Sequence, residues 1–410
     1  MLALLAARFG DLDLADESVQ DALVQAVETW PTQGIPDNPA GWLYAVAHNR
    51  GVDRLRRRAS ASRRLHAAAP DLVGVADAAD AAYEQEGEVQ IVEASEVGDE
   101  QLRLMLLCCH PALDRDTQVA LTLRLLGGLT TAEIAAAYLL PEATLAQRIV
   151  RAKRKIRDAR IPLTIPADLS ERVAALLTVL YLVFNEGYLA RGTHDSLVRV
   201  ELADEAIRLT ETAVDLLAGL PDAPEVAGLL ALELYLQSRV STRVDGAGDL
   251  VQLEQQDRSR WDGATITRAN EVLKGAVRAG RLGVYQLQAL IASQHANART
   301  ADDTDWPLIV SLYEQLMRLT PSPVVALNHA VAVAMADGPR AGLALLDKIE
   351  GLDGYHLSWA TRGELLHRSG DEAGAHAAFD RAHGLTSNPA ERRHLQRRLA
   401  ATRSEPGSGT

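Results

Sequence analysis

The stretch Leu129-Thr-Thr-Ala-Glu-Ile-Ala-Ala-Ala-Tyr-Leu-Leu-Pro-Glu-Ala-Thr-Leu-Ala-Gln-Arg-Ile-Val-Arg-Ala-Lys-Arg-Lys-Ile-Arg157 decides how this chain reads. Thr130 or Thr131 stands where a helix cap belongs, and a short helical pattern follows. Leu139-Leu140-Pro141-Glu142 is a tight turn. Ala143 to Ala159 then reads as a longer helix with Leu145, Ile149, Ala152 and Ile156 on one face. Upstream, Val119, Leu121, Leu123 and Leu125 lie in a helix that ends at Gly127-Gly128. A short helix, a brief turn and a longer basic helix make a helix-turn-helix whose second helix enters a DNA major groove. Its leading residues Glu142, Thr144, Gln147, Arg148 and Arg151 would face base edges, and Lys153, Arg154, Lys155 and Arg157 would face phosphates. The same pattern also fits a helical hairpin with a solvated basic face.

Charge, taken outward from this stretch, is unevenly spread. The 410 residues carry 42 Lys and Arg against 55 Asp and Glu, a net charge of −13, which as an average speaks against general nucleic-acid affinity. Residues 71–100, however, hold ten acids and no Lys or Arg, whereas 101–160 hold ten bases and five acids. Arginines gather at Arg54, Arg56, Arg57, Arg58, Arg63 and Arg64, and again from Arg148 to Arg160. The acidic segment is poor in large apolar residues and reads as a partly flexible, self-repelling tether. Two prolines in Ile161-Pro-Leu-Thr-Ile-Pro166 mark a further boundary. The expected organisation is a module over 1–70, a linker over 71–100, a second module over 101–160 and a long domain over 161–410.

Composition narrows the class. Apolar residues at 47% and charged residues at 24% indicate a folded chain, and aromatics at 4% speak against an aromatic-rich β sandwich. The expected fold class is all-α. No apolar stretch reaches the length of a membrane span, so no membrane partner is expected. Met1 to Arg8 lacks a basic leading region and runs into Asp11, Asp13 and Asp16, which reads as a helix rather than a signal peptide. Cys108 and Cys109 are adjacent and cannot staple distant segments, which fits a reducing cytoplasm. With His110 they lack a usual zinc spacing and read as buried helix cysteines; no metal and no cofactor is expected.

In the first module, Asp13 to Trp30 has apolar positions Leu14, Val19, Leu23, Val27 and Trp30, with acids in the first turns, as an amphipathic helix would. Asn38 can cap the next helix, with Pro39 at its first position. That helix carries Trp42, Leu43, Val46, Ala47, Val52 and Leu55 on one face and Tyr44, His48, Asn49, Arg50, Asp53 and Arg54 on the other. A basic helix end with aromatics nearby suits an unwound nucleic-acid strand, and it also suits an ordinary helix ending in solvated arginines.

Together, residues 11–160 resemble an RNA polymerase sigma factor of the extracytoplasmic-function type. Asp13-Leu-Ala-Asp-Glu-Ser-Val-Gln-Asp-Ala-Leu-Val-Gln-Ala-Val-Glu-Thr-Trp30, followed by Gly41-Trp-Leu-Tyr-Ala-Val-Ala-His-Asn-Arg-Gly-Val-Asp-Arg-Leu-Arg-Arg57, is similar to that family's region 2. Leu121 to Ala135 and Leu145 to Arg157 are similar to its region 4. The resemblance implies roles: Asp16, Gln20 and Asp21 on a helix that docks to the polymerase β′ clamp, and Trp42, Asn49, Arg50, Asp53, Arg54 and Arg57 at the −10 promoter element. It likewise implies Thr131 and the 142–155 helix at the −35 element, with the β flap as a further contact. Core RNA polymerase and promoter DNA are the implied partners, and the polymerase, not this chain, does the chemistry. The chain starts close to its first motif, which would shorten the family's leading helix.

Residues 167–410 read as helices throughout: 169–184, 197–218, 223–240, 264–279, 283–296, 304–319, 323–336, 339–349, 355–369, 371–385 and 389–402. Aligning Leu346-Asp347 with Phe379-Asp380 gives an offset of 33 residues, on which Ala330 meets Gly363, Gly342 meets Ala375 and Ile349 meets Ala382. A period near that of a tetratricopeptide (TPR) repeat suggests a helical-hairpin array, with a non-repeating bundle as the alternative. This extension resembles the sigma subgroup with a C-terminal TPR-like domain, carried by Tyr181-Leu-Val-Phe-Asn-Glu-Gly-Tyr188 and Asp257-Arg-Ser-Arg-Trp-Asp262. Asn185, Glu186 and Tyr188 at a glycine break, with Arg260, Trp261 and Asp262, offer charge and aromatic surface for an unknown protein or small-molecule partner, or for a latch between domains. Buried structural hydrogen bonding explains them equally well. A helix-turn-helix regulator with a TPR-like sensor and no sigma role is the competing function; it leaves the first module unexplained. An enzyme reading finds Glu186, Asp257, His295 and His329 scattered, with no triad spacing, metal motif or phosphate loop.

Overall fold

The computed structural model describes residues 1–68, 94–138, 140–159, 161, 165, 169–189, 196–243, 245, 251–386 and 388–402. Among these the regular elements are eighteen α-helices and three 3-10 turns, with no strand. Contacts divide the chain into two compact units, Met1–Val179 and Leu180–Thr410. The acidic tether over 71–93, Leu139 of the tight turn and most of the proline-marked boundary lie outside the described residues.

The first unit opens with α1 (Leu2–Phe9), α2 (Leu12–Gln33) and α3 (Pro39–Ala68). Gly10 ends α1 at φ 63, a left-handed turn that glycine adopts without strain. Asp11 caps α2, its carboxylate accepting from the Leu14 amide at 3.0 Å. Asn38 accepts from the Gly41 amide at 2.9 Å at the start of α3. The three helices close on a core of Leu5, Ala6, Ala15, Ala22 and Ala47, flanked by Phe9, Val19, Leu43, Tyr44 and Val46. The face that α2 buries is made of small residues: Ala15, Ser18, Ala22 and Ala26 are buried beside Leu14. This corrects part of the inward stripe expected from the sequence: Leu14 is buried, but Leu23 and Val27 are exposed by 41% and 75%, with Val24 beside them at 57%. Short side chains let α2 lie close to its neighbours, and that close approach rotates its larger apolar residues outward.

α4 (Ala94–Cys108), α5 (Arg115–Leu125), α6 (Thr131–Ala137) and α7 (Glu142–Asp158) complete this unit with the first part of α8 (Leu169–Leu189). α4 begins inside the stretch expected to be tether, so residues 94–100 are helical. The reason lies just beyond: Leu102, Leu104, Met105, Leu106 and Leu107 are buried and propagate the helix backward from a packed end. Cys108 and Cys109 are both buried, and burial pushes the Cys109 thiol up to about 12. Thr130 and Glu133 form a reciprocal capping box: the Glu133 carboxylate accepts from the Thr130 amide at 2.7 Å and the Thr130 hydroxyl accepts from the Glu133 amide at 3.2 Å. α7 buries Leu145, Ile149, Ala152 and Ile156, one residue per turn. The unit extends past the 160/161 boundary expected from the sequence because α8 is pinned back onto it. Arg172 donates to the Leu106 carbonyl at 3.5 Å and Arg115 to the Ala175 carbonyl at 3.3 Å.

The second unit runs from the end of α8 through α9 (Ser196–Leu216), α10 (Ala223–Gln237), α11 (Gly263–Val277), α12 (Val284–Asn297), α13 (Trp306–Leu319), α14 (Pro323–Asp337), α15 (Pro339–Leu346), α16 (His356–Arg368), α17 (Glu372–Leu385) and α18 (Pro389–Ala401). α8 continues through Gly187, so the expected glycine break is absent; the buried glycine is tolerated inside the helix. Glu225 of α10 caps α12 from outside it, accepting from the Tyr285 amide at 2.7 Å. In the last two hairpins, small residues mark the crossings. A Cβ on Gly342 would lie 2.7 Å from the Ala330 carbonyl oxygen, and one on Gly363 would lie 2.7 Å from the Phe379 ring. Ala330 and Gly363, one from each contact, are positions related by the 33-residue offset.

Candidate functional site

α7 presents two faces. Glu142, Thr144, Gln147, Arg151, Arg154 and Lys155 are exposed on the outer one, and Thr131 is half-buried at the start of α6. Arg151 donates to Gln147 at 3.2 Å, and Arg148 pairs with Asp116 of α5 at 3.1 Å. Lys155 reaches the Ala112 carbonyl. Arg154 makes no hydrogen bond or ion pair within the described residues. This face combines short polar groups near the helix start with cations behind them, which suits base edges and phosphates respectively.

Lys153 points the other way, into the first module. Its ammonium lies 2.7 Å from Asp16 and 3.5 Å from Asp13, and its side chain is only 11% exposed. Arg157 pairs with Asp13 at 3.0 Å, and Arg124 of α5 stands 3.9 Å from Asp16. The structure thus brings together an acidic group expected at the polymerase and a basic group expected at DNA. A half-buried cluster of this kind is much less screened by salt than an isolated surface pair.

α2 and α3 form a second surface. Arg54 pairs with Asp21 at 2.9 Å and Glu17 at 3.4 Å, while Arg50 donates to Gln25 at 3.2 Å. Gln20, Asn49, Asp53 and Arg57 are exposed. Trp30 and Trp42 rings meet at 5.6 Å with a 58° tilt at the top of this surface. His48 stacks between Phe9 and Tyr44, and burial with the nearby Arg8 lowers its pKa. Leu23, Val24 and Val27 add an exposed apolar stripe along α2. The heptad-like spacing of Ala15, Ala22 and Ala26 was the signal in the sequence that α2 buries its small side.

In the second unit, the two C-terminal motifs meet a third segment that sequence reasoning passed over. Tyr188 stacks on Phe184 at 5.5 Å, and Arg243 lies over the Tyr188 ring at 3.8 Å while donating to the Tyr188 carbonyl. The Trp261 indole is buried and donates to Thr242 at 2.9 Å. Asp257 caps the turn Arg258–Arg260, and Asp262 caps α11 by accepting from Ala264 at 3.0 Å and Thr265 at 3.2 Å. Hydrogen bonds from the Ser259 and Thr265 hydroxyls, and then from the backbone amides, hold the carboxylates of Asp257 and Asp262 below their usual range. Asn185, Glu186 and Arg260 have no ion pair among the described residues. Arg239, Arg258 and His295 stand beside Trp261, and nothing in the local sequence announces that they converge.

Comparison with known families gives three matches. Residues 1–61 match the model of sigma-70 region 2, and 103–156 match sigma-70 region 4. Residues 172–277 match a family of unknown function, DUF6596. An uncharacterized protein of Rhizobium meliloti (strain 1021), R00370, is 41% identical over 404 residues, covering 98% of this chain and 92% of the relative.

Proposed function

We propose that this chain, which carries sigma-70 region 2 and region 4 domains, is an alternative RNA polymerase sigma factor of the extracytoplasmic-function type with a TPR-like control domain in the same chain. A sigma factor lends promoter recognition to core RNA polymerase, so its residues bind and position DNA while the polymerase makes the bonds. In this reading α2 docks on the β′ clamp through Asp16, Gln20 and Asp21, joined by the apolar stripe Leu23, Val24 and Val27. Trp42, Asn49, Arg50, Asp53, Arg54 and Arg57 of α3 meet the melted −10 strand. Thr131 and the outer face of α7 read the −35 element, with the second module seated on the β flap. The α8–α18 helices, grouped in hairpins with small residues at their crossings, act as the module that controls this recognition in cis or binds a partner.

The observation that carries the reading is the order of two surfaces in one chain: an exposed apolar and acidic helix in the region 2 match, then a helix-turn-helix with an exposed cationic face in the region 4 match. The competing regulator reading needs only the second surface.

Run-off transcription with purified core polymerase tests it, comparing the full chain with residues 1–179. Promoter-specific transcripts are expected from holoenzyme, and the difference between the two chains gives the sign of the C-terminal control. Tight operator binding by the chain alone, with no transcript from either form, would favour the regulator instead.

A further inference from the structure

We propose that Glu233 is a proton-linked switch in the second unit: as a neutral acid it closes the seam between α9 and α10, and the loss of its proton loosens that seam as pH rises. Glu233 lies in the second half of α10 and is fully buried, as is Thr210 facing it from α9. Its sequence neighbours Leu232 and Leu234 are buried too. A carboxylate is stable in such surroundings only when donors enclose it.

Here they do not. The Thr210 hydroxyl stands 3.2 Å from Glu233 Oε1, and Oε2 has no hydrogen-bond partner. Thr210 also stands 2.9 Å from the Ala206 carbonyl, one turn back in its own helix, and donates to it. A hydroxyl has a single proton to give and lone pairs with which to accept. With that proton on the Ala206 carbonyl, the contact between Thr210 and Glu233 is a hydrogen bond only when Glu233 is the donor, so the acid keeps its proton. Were Thr210 to turn its proton to Glu233 instead, an ionised carboxylate would still have one donor for two buried oxygens.

The neighbouring charges act in the same sense. Glu233 has no ion pair among the described residues. Glu211 of α9 adds like charge and is itself paired with Arg268 of α11. Asp204, at the exposed edge of α9, accepts from Gln237 of α10 at 2.9 Å, and burial raises its pKa as well. His295 of α12 stands by Tyr235 and Arg239 and is neutral. Burial raises the Glu233 acid well above its ordinary 4.5; a Thr210 hydroxyl turned toward it opposes this and Glu211 adds to it. The unfolded chain therefore ionises at 4.5 while the folded chain keeps its proton. The stability tied to the neutral acid is full below pH 4.5, falls as pH rises, and levels off only where the folded acid ionises.

The test is hydrogen exchange on the full chain over about pH 5 to 9, read as protection factors corrected for the intrinsic pH dependence of exchange. Protection of α9 and α10 in the parent should fall relative to Glu233→Gln, which cannot ionise, by about tenfold per pH unit until the folded acid ionises. Glu233→Leu, a second neutral side chain, should share the slope of Glu233→Gln. An infrared difference spectrum of parent against Glu233→Gln at about pH 6 should show the carbonyl band of an un-ionised carboxylic acid in the parent. Equal pH slopes in the parent and both variants would overturn the proposal, as would the absence of that band. None of these measurements uses polymerase, so the switch and the sigma reading stand or fall separately.

Discussion

His295 shows how a residue that looks ordinary in sequence acquires a specific state. A histidine inside a helix reads as core or surface; the fold buries this one beside Arg239 and Arg258 and lowers its pKa from 6.5 to about 4. Unfolding restores the ordinary value, so the unfolded chain takes up a proton as pH falls through 6.5 while the folded chain does not. The stability tied to the neutral ring is therefore full above pH 6.5 and is lost progressively toward pH 4, by roughly 3 kcal/mol in all. Hydrogen-exchange protection of α12 should drop over this window in the parent chain and drop less in His295→Gln. Parallel pH profiles for the two proteins would show that the ring is not the titrating group.

At the scale of elements, the decisive contact is between α2 and α7. Asp13 and Asp16 hold Lys153 and Arg157, so the acidic side of one module covers the cations of the other. The same side chains cannot pair with each other and also meet the polymerase clamp or promoter phosphates. Holoenzyme formation is therefore expected to part α2 from α7. Spin labels at Glu28 and Arg151, both exposed, should report a longer separation when core polymerase is added, and the Asp13→Asn/Asp16→Asn pair should lengthen it without polymerase. An unchanged distance in both experiments would mean that the clasp survives recognition. The helices themselves were legible in the sequence: the capping box at Thr130 and Glu133, the cap at Asn38 and the apolar face of α7 all rest on neighbours within one or two turns. The orientation of α2 was not, since its alanines bury through close helix approach and its Leu23 and Val27 are left outside. A hydrophobic pattern ranks residues by apolarity, and here space rather than apolarity chose the buried side.

For the whole molecule, the place where the chain divides matters to any dissection of it. α8 lies astride the division between Val179 and Leu180, and its first part is tied to α4 and α5 by Arg172 and Arg115. A fragment cut after residue 160 loses both ties and is expected to melt a few degrees below one cut after Val179, since each hydrogen bond contributes about 1 kcal/mol. Coincident melting curves for the two fragments would show that α8 contributes nothing to the first unit. The net charge of −13 is likewise a property of the whole that hides its parts. Exposed cations on α7 coexist with a cluster in which other cations are already neutralised by α2.

The sequence by itself determined the all-α class, the place of most of the helices and the helix-turn-helix. These follow from periodicity, caps and small-residue spacing, which are local and survive as patterns along the chain. Only the tertiary structure decided which side of α2 is buried, that Lys153 turns to Asp16 instead of outward, and that His295 is buried beside Arg239 and Arg258. The physical reason is the same in each case. Packing and electrostatics act between residues distant in sequence, and whether a charge is paired or exposed is fixed by what the fold brings beside it.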